Sequence, residues 1–213
     1  MLKIENVLVC GWEPAIRGMR NPKNSWDKSD SGWVSEMNED GVLEHYFEVG
    51  KNDLVLMKNL AEAGSDHRKY MRMIVVYVDV TAPLYWWKEF DTYKVGTVAN
   101  SCSTMHKIHE RELTLDDFST DNMSSYARDI FEDYLYSLNT YIETYHKFGD
   151  KSDWYDIIQS LPMSYNQKRT VMMNYEVLRN IYKSRKNHKL DEWHQLCDWI
   201  KSLPYNKLIT GGE

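Results

Sequence analysis

The sequence predicts an α+β chain of mixed α/β character, with a central sheet and a helix-rich C-terminal half. Three observations predict it. The run "RMIVVYVDV" (Arg72–Val80) is nearly all apolar and β-branched, which reads as a strand buried on both faces. The opening "LKIENVLVCG" is rich in branched aliphatics and stops at Gly11, which reads as a first strand. Beyond Thr114 the apolar residues fall instead at helical spacing, and they do so in several successive segments.

The elements follow in order. "EPAIRGMRNP" reads as a short helix stopped by Asn21-Pro22. Residues 25–41 are polar and rich in Ser and Asp, and are expected to form a mobile loop. Asp53–Gly64 has an apolar face, with Asp53 as its expected N-cap and Gly64 at its end. After Pro83, "LYWWKEFDTYK" reads as a helix with Pro near its start. Tyr126, Ile130, Phe131, Tyr134, Leu138, Tyr141, Ile142 and Tyr145 then form one stripe of a long helix ending before Gly149. Three further segments, "SDWYDIIQSL", "NQKRTVMMNYEVLRNIYKSRK" and "LDEWHQLCDWIKSLP", read as helices.

Composition narrows the function classes. With 213 residues the chain is expected to form a single domain over 1–213 with a sizeable core, and 8 Trp, 15 Tyr and 5 Phe are far from a disordered composition. The net charge of −6 argues against general nucleic-acid binding, though not against a local basic pocket. Cys10, Cys102 and Cys197 are odd in number and lack metal-ligand spacing, as in a reducing compartment. No basic segment with an apolar run opens the chain, and no apolar run nears the roughly 20 residues of a membrane span. A cytoplasmic protein is expected.

Several side-chain groupings carry candidate chemistry, each beside a plainer reading. Asn174 and Arg185 are eleven residues apart, so on one helix they lie within about 20° of one line and about 16 Å apart. Leu178 and Ile181 share that stripe. Two polar groups among apolar neighbours need partners, either each other, the protein, or a ligand. "KSRKNHK" (Lys183–Lys189) is the densest positive run; it reads as a helix C-terminus that favours cations, or as an anion site using Arg185. His67 sits between a helix end and the strongest strand, as a capping residue or a site residue. His106 and His109 have the i, i+3 spacing of metal ligands but no third ligand, so no metal is expected. Ser101, Cys102 and Ser103 follow a turn at Gly96 and suit either a self-capped turn or a phosphate. "YWW" (Tyr85–Trp87) suits a core or a ring-stacking surface.

From about Asp53 to Trp199 these pieces resemble the flavin-dependent (complementing) thymidylate synthase family. That family has a strand ending in Ala-Pro, a helix leading to Arg-His-Arg-x-x-Ser, and then Asn-Glu-x-x-Ser-x-Arg. "VDVTAPLYWWKEFDTYKVGTVANSCST" follows the same frame. Ala82-Pro83 matches the pair, and Lys88 and Glu89 fall where the family often has Arg-Gln. Thr92, Tyr93 and Lys94 take the Arg-His-Arg places, and Thr97 takes that of the Ser. Counting back places His67 on the family's Gly-His histidine. Asn174 and Arg185 reproduce the spacing of a helical Asn and a nucleotide-binding Arg, and Leu161-Pro162 resembles the preceding Leu-Pro. The departures are as informative: of the Arg-His-Arg cations only Lys94 remains, and Lys lacks the bidentate fork of Arg.

The resemblance implies a thymidylate-synthase-complementing fold, a homotetramer with sites between subunits, FAD as cofactor and a dUMP-like nucleotide as ligand. Arg185, Ser103, Thr97 and Lys94 would face the nucleotide; Asn174, His67, Lys94 and Glu89 would face the cofactor. With the flavin grip degenerate, the expected function is a diverged homologue that holds a nucleotide-like ligand at a subunit interface with altered or lost chemistry. The alternatives are an active synthase, transferring a methylene group from folate to dUMP, and a pseudoenzyme oligomer serving protein interaction.

Overall fold

A computed structural model describes residues 2–212. β1 (Lys3–Cys10) leads through Gly11 into α1 (Trp12–Arg20), and short 3-10 turns cover Asn21–Lys23 and Trp26–Lys28. β2 (Gly32–Met37) and β3 (Leu43–Glu48) form an antiparallel hairpin with Trp33 opposite Phe47 and Met37 opposite Leu43. α2 (Lys51–Glu62), a 3-10 turn over Arg68–Met73, β4 (Val75–Pro83), α3 (Leu84–Phe90), β5 (Val98–Ser101) and α4 (Thr104–Lys107) follow. The second half contains α5 (Ser125–Phe148), α6 (Lys151–Gln159), β6 (Asn166–Asn174), α7 (Tyr175–Arg185), α8 (Asp191–Ser202) and α9 (Lys207–Thr210). The larger sheet has the strand order β1-β4-β6-β5. Among the described residues no helix is long and apolar enough to cross a membrane.

The chain divides into two units. The first gathers residues 2–6, Val78–Thr92 and Ala99–Val171. Its core packs Leu135, Leu138 and Ile142 of α5 with Ile157 of α6, Ile108, Leu113 and Phe118. Trp86, Trp87 and Phe90 form a buried aromatic knot on α3, with ring centroids 4.9 to 5.3 Å apart. The readings of "YWW" therefore resolve toward core for Trp86 and Trp87. The second unit comprises Val7–Tyr77, Tyr93–Val98 and residues 172–212. There Trp12 meets Tyr175 and Tyr205 edge-on, and Leu178, Ile181, Trp193, Leu196 and Ile200 are buried.

Four sequence expectations change. "NQKRTVMM" is a strand, not the first half of a helix: Val171 and Met173 alternate inward with period two, and helical structure begins only after Asn174. Asp53 is not an N-cap; α2 starts at Lys51 and the carboxylate is fully buried against Arg20. The 25–41 stretch contains a 3-10 turn and strand β2, because Asp53 accepts hydrogen bonds from Ser29, Ser31 and the Asp30 amide. β4 is buried mainly at alternate positions, with Val76, Val78, Val80 and Ala82 inward and Tyr77 outward. α5 runs as expected from its Ser124 cap to a left-handed Gly149, yet Tyr126 and Ile130 of its stripe lie exposed.

Candidate functional site

The segment Tyr93–Val98 carries most of the stretch compared with the family motif, and it runs beside α7. Gly96 has φ +79°, and a Cβ there would sit 2.9 Å from the Asn174 amide nitrogen and 3.2 Å from a Val177 methyl. Only glycine meets both demands, a left-handed backbone and close approach to the helix start. Asn174 is buried and is the N-cap of α7; its side-chain oxygen accepts the Val177 N–H at 3.0 Å. Beside it the Thr97 hydroxyl is buried with no hydrogen-bond partner among the described residues. An unmatched buried hydroxyl costs about 1–3 kcal/mol.

Arg185 closes the same helix. Its Nε donates to the Tyr93 hydroxyl at 2.9 Å, and its guanidinium lies 4.5 Å from the centre of the Trp193 ring and 5.6 Å from that of Tyr93. Tyr93 and Trp193 meet edge-on, 6.1 Å between centroids, and His188 is also 6.1 Å from Trp193. The geometry is an aromatic clamp on a cation. Asn174 and Arg185, singled out by spacing, thus both meet the 93–97 segment, one at each end of α7.

The other expected residues divide. Lys94 is exposed in the same unit as Arg185. Glu89 and Ser103 belong to the other unit. Thr92, at the first of the three motif places, donates its hydroxyl to the Glu89 carbonyl at 2.7 Å. The Ser103 hydroxyl caps α4 by accepting from the His106 N–H, and Cys102 pairs through its backbone with Lys168 and Gln167. The 101–103 cluster therefore reads here as a capped turn and strand end rather than a phosphate cradle. Among the described residues no group of three or more His, Cys, Asp or Glu is placed to hold a metal ion.

His67 is exposed and lines a different feature, a cleft of about 980 Å³ walled by residues of α1, α2 and the 3-10 turn. Its apolar floor includes Met19, Leu56, Leu60 and Met73, and Lys23, Lys28 and Lys69 stand around it. The wall is built on a buried ion pair. Arg20 Nε donates to Asp53 at 2.7 Å, and its other nitrogens donate to the Ser25 and Lys28 carbonyls. Burial pushes the Asp53 carboxyl up, but hydrogen bonds from Ser29, Ser31 and Arg20 outweigh it and hold it below its ordinary value.

Sequence reasoning missed Trp193, Tyr93 as an Arg partner, and the cleft lysines. Cations scattered over three segments gave no spacing to find.

No protein-family model and no curated protein matches the sequence. Solved structures do match in shape. Thymidylate synthase X from Helicobacter pylori, with FAD and dUMP, superposes with a TM-score of 0.73 over 99% of this chain and 97% of that one, at 13% identity. A second structure of that flavin-dependent enzyme with FAD and dUMP gives 0.66 at 14% identity, over 97% of each chain. A UMP/dUMP methylase, PolB from Streptomyces cacaoi bound with 5-Br dUMP, gives 0.63 at 13% identity, over 99% and 95%. The fold is that of flavin-dependent thymidylate synthase. The motif residues nonetheless fit a flavin poorly. The Thr92 hydroxyl and the Tyr93 phenol are engaged within the protein, the Asn174 oxygen caps a helix, and only Lys94 of the three places is cationic.

Proposed function

We propose that the chain is a diverged homologue of flavin-dependent thymidylate synthases that binds a nucleotide-like ligand at a subunit interface, with altered or lost chemistry. The observation that carries the reading is the pairing of Arg185 and Asn174 with one segment, Tyr93–Thr97, in a thymidylate synthase X fold. Similar structures hold dUMP or 5-Br dUMP, which makes a pyrimidine nucleotide the first ligand to test. In this reading Arg185 meets the phosphate, with Lys94 and Thr97 of the same unit as its companions. Asn174 stands on the cofactor side. Because the flavin grip is degenerate, no step of the proposed function runs through FAD. The three free cysteines accord with a cytoplasmic protein.

An oligomer is part of the proposal, a tetramer by resemblance. Support comes from α5, where Tyr126, Ile130, Tyr134 and Tyr141 share one face and are 75%, 53%, 38% and 37% exposed, an apolar surface that a subunit contact would cover.

The test is a thermal-shift series with dUMP, UMP and FAD on the wild type and Arg185→Ala, with light scattering for mass. Stabilisation by a pyrimidine nucleotide that Arg185→Ala abolishes is expected, because a ligand stabilises the state it binds. An undiminished shift in the variant refutes the assignment. A yellow protein absorbing near 450 nm, roughly the flavin band, would support the active synthase instead.

A further inference from the structure

We infer that the cavity between α1, the Trp26–Lys28 turn and the β2–β3 hairpin binds a methylated ammonium group, carried by a small molecule or by a lysine side chain. Its walls share no residue with the proposed nucleotide and cofactor contacts, and it needs no ligand at Arg185.

Place and size come first. Glu13, Ile16, Arg17 and Arg20 recur at helical spacing on one face of α1 and line this cavity, whereas Gly18 and Met19 line the His67 cleft. At about 280 Å³ the cavity falls at the small end of ligand sites, room for one compact head group rather than a nucleotide or a flavin.

The walls are aromatic. Trp33 and Phe47 are paired across the hairpin, with ring centroids 5.6 Å apart and planes at 82°, and so form a corner. Trp26 stands on the 3-10 turn as a further wall. Both indoles are exposed, yet both are anchored by their N–H: Trp26 donates to Asn21 Oδ1 at 2.9 Å, and Trp33 to Glu13 Oε2 at 3.1 Å. With that polar edge engaged, each ring has its π face left for a guest, and the negative quadrupole of the face attracts cations. The cations that the protein does place over tryptophans, Arg169 on Trp87 and Arg185 on Trp193, are elsewhere.

Charge points the same way. Residues 32–48 hold Glu36, Glu39, Asp40, Glu44 and Glu48, and no Lys or Arg. Of the two cations in the lining, Arg20 is neutralised by Asp53, and Ser29 and Ser31 direct their hydroxyls to the same carboxylate. Arg17 is largely exposed and 3.9 Å from Glu13, a loose contact that a guest can displace. A primary ammonium would bring three N–H donors to a wall whose carboxylate, among the described residues, is Glu13 alone. Methylation removes those donors and adds apolar surface that Ile16 and the rings can cover.

The experiment titrates the full chain with choline by calorimetry. One saturable site is expected, weakened about tenfold by Trp26→Leu and by Trp33→Leu with circular dichroism unchanged, while Trp33→Tyr, which keeps a π face, retains most of the affinity. The neutral isostere 3,3-dimethyl-1-butanol should bind about tenfold more weakly than choline, and equal binding overturns the role of charge. Unchanged affinity in both Leu variants overturns the site, as does the absence of binding up to about 10 mM choline, where a millimolar site would be nearly full. Should the Leu variants fail to fold, Glu13→Gln at the surface keeps the question open to refutation: it should weaken choline and spare the neutral isostere, and equal choline affinity overturns the site. A short uncharged peptide bearing one trimethyllysine then separates the two sources: tighter binding than choline marks a protein side chain, and weaker binding a small molecule.

Discussion

Around Arg185 the cation is enclosed by the protein's own rings, with the Tyr93 hydroxyl on Nε and the Trp193 face against the guanidinium. In the cleft of the same unit, three lysines stand over an apolar floor without ion-pair partners among the described residues. The first arrangement satisfies its charge internally, so a ligand there must displace or join existing contacts. The second leaves its charge for something else to satisfy. A site can thus be marked by residues whose place is already secured, or by residues that the fold has left unsatisfied, and the two demand different tests.

The largest expected effect comes from removing what holds the cleft. Asp53→Ala strands the Arg20 guanidinium, whose side chain is 6% exposed, and an uncompensated buried charge typically destabilises by about 3–5 kcal/mol. Urea denaturation should show it. The Arg185 clamp should keep its nucleotide response if the variant folds. Acid gives a gentler version. The Asp53 carboxyl is held below its ordinary value, so the stability it contributes is complete above that ordinary value, near pH 4, and is lost as pH falls through the lower folded one. Stability measured from pH 6 down to 3 should fall in that window, and Asp53→Asn should flatten this part of the curve. A wild-type curve without the fall would show the carboxylate to be ordinary.

A smaller effect sharpens the other region. Gly96→Ala forces an L side chain to φ +79° and toward the Asn174 amide, for about 1–3 kcal/mol. It should also disturb the α7 cap. Equilibrium unfolding that shows no loss would mean that the segment moves freely off the helix.

The contrast also explains what the sequence could disclose. Asn174 and Arg185 were legible because a helix turns spacing into direction, and even with Asn174 as a cap rather than a helical residue the eleven-residue interval places one at each end of α7. The α5 helix was legible for the same periodic reason; β4 was legible as an unbroken apolar, β-branched run, although its burial alternates. β6 was not, because "KRTVMM" runs straight into a helix and its two inward residues are too few to fix a period. The β2–β3 hairpin hid in a polar stretch, since its strands are mostly exposed and bear no alternating apolar face. The cleft was illegible for a deeper reason. Lys23, Lys28 and Lys69 come together only after Asp53 has drawn the 25–31 segment onto α2, and a long-range ion pair leaves no local signature.

The smallest expected effect decides what Tyr93 does. Tyr93→Phe removes one oxygen and with it the acceptor for the Arg185 Nε, while the ring can still pack against Trp193. Losing that bond should cost about 0.5–1.5 kcal/mol, or a melting temperature lower by a few degrees in a chain of this size. The nucleotide response is the discriminating readout. If the phenol competes with a phosphate for Arg185, the variant gains affinity, because binding no longer has to break the internal bond. If Tyr93 instead holds the guanidinium ready, the variant loses affinity by more than its stability loss explains, since an unrestrained Arg must be ordered by the ligand itself. A nucleotide shift identical in wild type and variant would mean that the clamp and the nucleotide never share Arg185, and would break the link between the motif segment and ligand binding.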